Sequence, residues 1–242
     1  MRKYVLLLCC VFMVSGCDKH DPILPGVRTA IFDTGANQNI LNIDVPNLPD
    51  AIPENNAPEC KYTIDNTNTI RDGDRKIFVG FSAPNSMDIE THPICDNGYV
   101  YAGLNTGSVV KIAPSTRRIM WMADVYSESN MMGGAATVDI VAPLVINGGW
   151  LYVGGMGNAF CKINITSGSK KWCANVGTRR AFIVLSDVAY VVGLDDMLYA
   201  IRLSDGAIYW RSELKQGGTP KYENKQIIVR KQKFDAATGQ EL

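Results

Sequence analysis

Apolar positions in this chain fall into short runs, and from about residue 76 onward the runs recur in register. Tyr99-Val100-Tyr101-Ala102, Leu151-Tyr152-Val153 and Ala189-Tyr190-Val191-Val192 are β-prone stretches bounded by Gly, Asn and Asp, which is the pattern of short strands between turns. A second set follows: Ser108 to Ile112, Ala159 to Ile163, and Met197 to Ile201. After it comes a turn, at Ser167-Gly168 and at Asp205-Gly206, and then a closing run that reaches a tryptophan. Glycine suits the positive φ of a tight turn, so these runs are expected to pair as hairpins. Arg117 stands where the other units have Gly168 and Gly206, which predicts a different turn there.

The recurrence is residue for residue. Segments Pro93 to Tyr101, Pro143 to Tyr152 and Phe182 to Tyr190 align, and each tyrosine is followed twenty residues later by Trp121, Trp172 or Trp210. Nine residues before each tryptophan stands Ile112, Ile163 or Ile201. A unit of roughly 40–50 residues with about four strands is a propeller blade, which buries its sheet faces against its neighbours. Stacked hairpins in a β-sandwich are the competing architecture, but sandwiches do not repeat in this way. The expected fold is all-β: a β-propeller, partial or shortened, of about four blades at about 76–124, 141–176, 182–214 and 218–242. In the last unit, Phe234 to Gly239 matches the turn region, so a tryptophan is due immediately after Leu242 and the sequence is expected to stop inside a strand. Lys76 to Phe81 reads as the closing strand of a still earlier blade. Residues 17–75, rich in Pro, Asn and Asp, read mainly as an irregular tether.

The N-terminus supplies the reason for a tether. Met1-Arg2-Lys3, an apolar run from Tyr4 to Val14, and Ser15-Gly16-Cys17 form an export signal over residues 1–16, too short to span a bilayer. Val14-Ser15-Gly16-Cys17 resembles the lipobox of bacterial lipoproteins. That resemblance implies lipidation of Cys17 and attachment to a membrane through its acyl chains. No later stretch is apolar enough to cross a membrane.

Acidic and basic residues balance at 24 each, which gives no electrostatic reason to expect nucleic acid. Residues 18–75 lean acidic, while the stretch from Arg211 to Lys233 is basic and reads as a solvated edge. Cys9 and Cys10 leave with the signal. Cys60, Cys95, Cys161 and Cys173 remain, in a compartment that permits disulfides and at spacings unlike a zinc or redox motif. Cys161 and Cys173 flank the Ser167-Gly168 turn, so the alternatives are a cross-strand disulfide or two separate small apolar side chains. With only His20 and His92, histidine-based metal or triad chemistry has almost no material.

Ile163-Asn164-Ile165-Thr166-Ser167-Gly168 to Trp172, Ile201 to Trp210, and Phe234-Asp235-Ala236-Ala237-Thr238-Gly239 resemble the blade pattern of the PQQ-like repeat propellers. Within that superfamily, a lipobox before a propeller is similar to the BamB-like lipoproteins of the outer-membrane barrel-assembly machinery. Ile23-Leu24-Pro25-Gly26-Val27-Arg28 is similar to the opening of some of them. The resemblance implies a non-enzymatic scaffold, without cofactor or metal. Its expected partners are the barrel-assembly machinery and unfolded outer-membrane proteins, and its expected place is the periplasmic face of the outer membrane. Two departures stand out. Such propellers have about eight blades, and Asp18 after the lipidated cysteine favours inner-membrane retention in enteric bacteria.

Other constellations point elsewhere. A PQQ-dependent oxidoreductase would need a central cofactor, oxygen-ligated calcium and an aspartate base, and no acidic cluster has that spacing. A degraded propeller paralogue without a complex is a further reading. Asp33-Thr34-Gly35 looks like an aspartic-protease loop but lacks supporting strands, and turn chemistry explains it. Asp65 to Asp74 resembles a calcium loop without its ligand order or terminal glutamate.

Overall fold

The computed structural model describes residues 39–52, 60–84, 86–87, 92–126 and 137–242. The signal segment, Cys17, Asp18, the 23–28 stretch and the Asp33-Thr34-Gly35 loop lie outside the described residues. Among those described there is no helix long and apolar enough to cross a membrane. Five antiparallel meanders follow one another along the chain.

The first has three strands, β1 (Thr63–Ile64), β2 (Thr69–Asp72) and β3 (Arg75–Val79). The second has four: β4 (Ile94–Asp96), β5 (Tyr99–Gly103), β6 (Ser108–Ala113) and β7 (Arg118–Asp124). So does the third, with β8 (Val145–Asn147), β9 (Trp150–Gly155), β10 (Ala159–Asn164) and β11 (Lys170–Ala174). The fourth comprises β12 (Ile183–Leu185), β13 (Val188–Val192), β14 (Met197–Arg202) and β15 (Ile208–Glu213). The fifth has β16 (Pro220–Glu223), β17 (Gln226–Val229) and β18 (Gln232–Asp235), with Glu241 bridging back to Phe234 as a fourth strand begins. The innermost hairpins turn through consecutive positive-φ residues at Asn97-Gly98, Gly148-Gly149 and Asn224-Lys225, the turn whose twist matches paired strands.

One irregularity aligns the blades. Lys111 faces Trp121 and then Ile112 faces Ile119, so the register slips between them. The slip repeats at Lys162/Ile163 opposite Trp172 and Lys170, and at Ala200/Ile201 opposite Trp210 and Ile208. It occurs once more at Ile70/Arg71, opposite Phe78 and Lys76. Phe78 is therefore the counterpart of the three tryptophans, and β1–β3 are the second to fourth strands of a blade. Order thus begins before residue 76, and five sheets stand where the repeat alone indicated about four. β3 falls where the sequence puts the closing strand of a still earlier blade, whereas β1 and β2 lie in the stretch read as tether, because Thr69 and Arg71 break the apolar pattern of the repeat.

Each tryptophan lies on the turn of the following blade. A Cβ at Gly168 would sit 2.6 Å from Trp121, at Gly206 2.7 Å from Trp172, and at Gly239 2.5 Å from Trp210. All three glycines have positive φ. Arg117 occupies the corresponding place with φ 59°, so its turn has the same left-handed conformation and does not differ as the sequence suggested.

Polar atoms at these junctions are matched across blades. The Lys111 ammonium and the Trp121 indole N–H both donate to the Ile165 carbonyl, at 2.9 and 3.2 Å. Lys162 and Trp172 do the same to the Leu203 carbonyl, at 2.8 and 3.0 Å. Burial holds both lysines below their ordinary pKa. Their charge is met by the faces of Tyr99, at 4.1 Å, and Trp150, at 4.7 Å. In the fourth blade Ala200 replaces the lysine, and the Tyr190 hydroxyl donates instead to the Ala236 carbonyl at 2.8 Å. The Trp210 N–H is left without a partner. Apolar layers fill the rest of each junction: Tyr101 and Val109 against Leu151 and Cys161, then Tyr152 and Phe160 against Val191 and Ile201.

Residues 39–50 form a strap. Ile40 pairs in parallel with Ile208 at the outer edge of the fourth blade, and the Leu41 N–H donates to the Ile208 carbonyl at 2.8 Å. The Val45 N–H reaches the Ala237 carbonyl of the fifth blade at 2.9 Å, and the Tyr222 hydroxyl donates to the Pro49 carbonyl. Leu41, Val45 and Leu48 pack into the core between blades four and five. This part of the expected tether is docked, not loose, because its apolar residues find an open sheet edge.

Candidate functional site

Outer strands of a propeller leave backbone N–H and C=O groups unpaired, and proteins shield such edges with charge or with added chain. Three corresponding edges can be compared here. In the third blade, the positions flanking Trp172 are Lys170, Lys171 and Cys173. The two lysines are exposed, the usual deterrent to edge-to-edge pairing. In the fourth blade they are Ile208, Tyr209 and Arg211; the strap pairs with Ile208, and both Ile208 and Tyr209 are buried. In the second blade they are Ile119, Met120 and Met122, which are 51%, 45% and 47% exposed.

No strand covers β7 among the described residues. Met120 and Met122 point away from Trp121 and Ala123, which face the third blade. On the first blade Val79 is exposed and Phe81 is 91% exposed. The second blade thus offers an extended edge with flexible apolar side chains, while the third and fourth blades guard theirs with lysines and with the strap. Sequence reasoning missed it. The available signal was that Arg118 to Asp124 is apolar on both faces, whereas Lys170 to Ala174 is apolar on one.

The four cysteines lie on structural elements away from that edge. Cys161 and Cys173 face each other across β10 and β11 and are disulfide-bonded, with Cα atoms 4.1 Å apart. Cys60 is bonded to Cys95, Cα to Cα 5.1 Å, tying the entry to β1 to the first strand of the second blade. Nothing in the spacing of Cys60 and Cys95 pointed to that second pairing beyond their being the two cysteines left over.

Two concavities complete the surface. A groove of about 800 Å³ runs between β8 and β12, under Pro49 and Ile52 of the strap. Val145, Ile146, Ile183 and Leu185 line it, with no titratable side chain among its residues, so it provides shape without acid–base chemistry. A much smaller cavity of about 20 Å³, room for about one water, lies beside Asp139. Asp139 is 1% exposed; one carboxylate oxygen accepts from the Met87 N–H at 2.6 Å and the other has no partner. Burial raises its pKa, which the Met87 N–H partly opposes. The Asp65 to Asp74 segment is turn and ion-pair chemistry. Asp65 accepts from the Thr67 and Thr69 N–H groups, and Asp72 pairs with Lys61 at 2.9 Å. Among the described residues, no group of three or more His, Cys, Asp or Glu side chains could hold a metal.

Consecutive four-stranded meanders joined by a tryptophan on the next blade's turn define a β-propeller of PQQ-like repeats. A family model described as outer membrane protein assembly factor BamB matches residues 84–212, and the chain belongs to that family. The fold is similar to that of BamB from Moraxella catarrhalis, with a TM-score of 0.58 and 16% identity over 75% of this chain and 56% of that one. It is also similar to a quinohemoprotein alcohol dehydrogenase from Pseudomonas putida HK5, with a TM-score of 0.53 and 13% identity over 75% of this chain and 39% of that one. At these identities the likeness is one of fold alone, and the chain spans little more than half the length of the BamB structure. No curated protein sequence matches it.

Proposed function

We propose that this chain is a non-enzymatic scaffold of barrel assembly. It is anchored through Cys17 at the periplasmic face of the outer membrane and binds extended segments of unfolded outer-membrane proteins beside the barrel-assembly machinery. The observation that carries the reading is the uncovered β7 edge. Among the described residues, Ile119, Met120 and Met122 flank a backbone ladder that no strand pairs with, while the equivalent edges of the third and fourth blades carry lysines or the strap. A strand added to such an edge gains main-chain hydrogen bonds, and its alternate side chains meet the apolar ones. The strap pairing with Ile208 is the same interaction made within the chain. Transmembrane strands of barrel proteins alternate apolar and polar residues, which suits an edge of this kind. Methionine adapts to varied apolar partners, so many sequences fit.

The test is affinity purification of the tagged protein from membranes, together with photo-crosslinking from position 122 during export of a barrel protein. Recovery of assembly components and a crosslink to the unfolded barrel support the proposal. Neither being found in membranes that contain the lipidated protein rejects it. With the crosslinker kept at position 122, Ile119→Lys/Met120→Lys should abolish the crosslink and leave thermal stability unchanged.

A further inference from the structure

The basic stretch ending at Lys233 is gathered by the fold onto one face of the fifth blade. Lys221, Ile228 and Lys233 are directly opposite one another across β16, β17 and β18, so all three project from the same side of the sheet. The opposite side, with Tyr222, Ile227 and Phe234, packs on the fourth blade. Arg230 and Lys231 form the exposed turn beside this row. Lys221, Lys231 and Lys233 make no ion pair among the described residues. Lys225 is paired with Asp50 at 3.2 Å, and Lys215 reaches Glu241 at 3.5 Å. The acidic residues of the face are few. Asp235 is held in its own turn by the Ala237 and Thr238 N–H groups, leaving Glu223 as the exposed carboxylate of the next row.

The chain that leads from Cys17 joins the described structure through the strap. About twenty residues separate Cys17 from Asn39, a reach of at most roughly 70 Å. The chain enters the described structure at the outer edge of blade four and crosses directly to blade five, where Asp50 meets Lys225. The strap thus enters at blade four and ends on the lysine-bearing blade five.

We propose that the exposed face of the fifth blade rests on the anionic phospholipid headgroups of the leaflet that holds the anchor. The contact directs the β7 edge, three blades away in the chain, into the periplasm. This inference rests on Cys17 as the lipid anchor and is independent of what β7 binds. Each lysine close to an anionic leaflet strengthens association by about fivefold, so reversing three of them weakens it by well over a hundredfold.

The full lipidated chain would be placed through its acyl chains in nanodiscs of phosphatidylcholine alone or with phosphatidylglycerol admixed. Amide hydrogen exchange would be followed at the Asn224-Lys225 and Arg230-Lys231 turns. Slower exchange at both turns only in the anionic discs, relieved by salt, is the expected result. Lys221→Glu/Lys231→Glu/Lys233→Glu should remove it with the protein still anchored, whereas Lys170→Glu/Lys171→Glu should not. Equal exchange in the two discs, or protection that survives the triple reversal, overturns the proposal. So does a chain that enters neither disc, which also removes Cys17 as the anchor. No assembly component is present, so none of these outcomes bears on strand binding at β7.

Discussion

The indole of Trp121 lies flat on Gly168 of the next blade, so close that a methyl group on the glycine would sit 2.6 Å from the ring. The glycine serves twice, once for its φ of 76° and once for the space it leaves. Gly168→Ala should therefore cost roughly 3 kcal/mol, from left-handed backbone strain plus overpacking. Arg117→Gly, at the equivalent turn with positive φ, should be neutral to mildly stabilising, within about 1 kcal/mol. Urea unfolding of both variants measures the contrast. A Gly168→Ala protein as stable as the parent would contradict the packing described.

The tryptophans are equivalent in place and unequal in bonding. Trp172 donates to Leu203, whereas the Trp210 N–H has no partner. Trp172→Phe loses packing and a hydrogen bond. Trp210→Phe removes an orphan donor along with part of the ring, so it should be less costly by about 1 kcal/mol. Differential scanning calorimetry of the two variants tests the ordering.

What could be read from the sequence, and what could not, follows from this same spacing. Trp121, Trp172 and Trp210 at a fixed distance from tyrosines and isoleucines announced the blades, because junction packing demands the same residue types each time. Of the first sheet only the closing strand, within Lys76 to Phe81, was legible; β1 and β2 were not, because Thr69 and Arg71 depart from that set. The strap was illegible because Asn39 to Pro49 has no periodicity of its own; its order is lent by Ile208 and Ala237, far away in the chain. An uncovered edge is equally hidden, since Met120 reads as an ordinary strand residue until it is known what does not cover it.

Asp139 gives a pH signature. Its carboxyl is buried with one oxygen unpartnered, and its pKa is raised above 3.8. The folded state holds that proton more tightly than the unfolded chain. The stability it contributes is complete below about 3.8 and is lost as pH rises through the raised value. Asp139→Asn stays neutral and should flatten this dependence, so the variant's stability relative to the parent should improve from acid to neutral pH. Thermal melts of both proteins across that range check it; parallel curves would contradict it.

The two disulfides close loops of different length. Their sequence separations are 35 for Cys60–Cys95 and 12 for Cys161–Cys173. Chain entropy assigns about 4 kcal/mol to the first and about 3 kcal/mol to the second. Cys60→Ser/Cys95→Ser should therefore be the more damaging pair and should loosen the first blade selectively. Peptide mapping of the unreduced protein establishes the bonds, and hydrogen exchange in Thr63 to Val79 reports the loosening.

The strap also sets an order of events. Tyr222 and Pro49 are 173 residues apart in sequence, so the early segment has nothing to bind until almost the whole polypeptide has emerged. Joining such distant partners is slow, because a very long loop must close first. As the chain folds, the blades therefore form in succession while this stretch waits, and its clasping comes late. Until then the border of the fourth sheet is bare, and a young molecule has one adhesive margin more than the finished one.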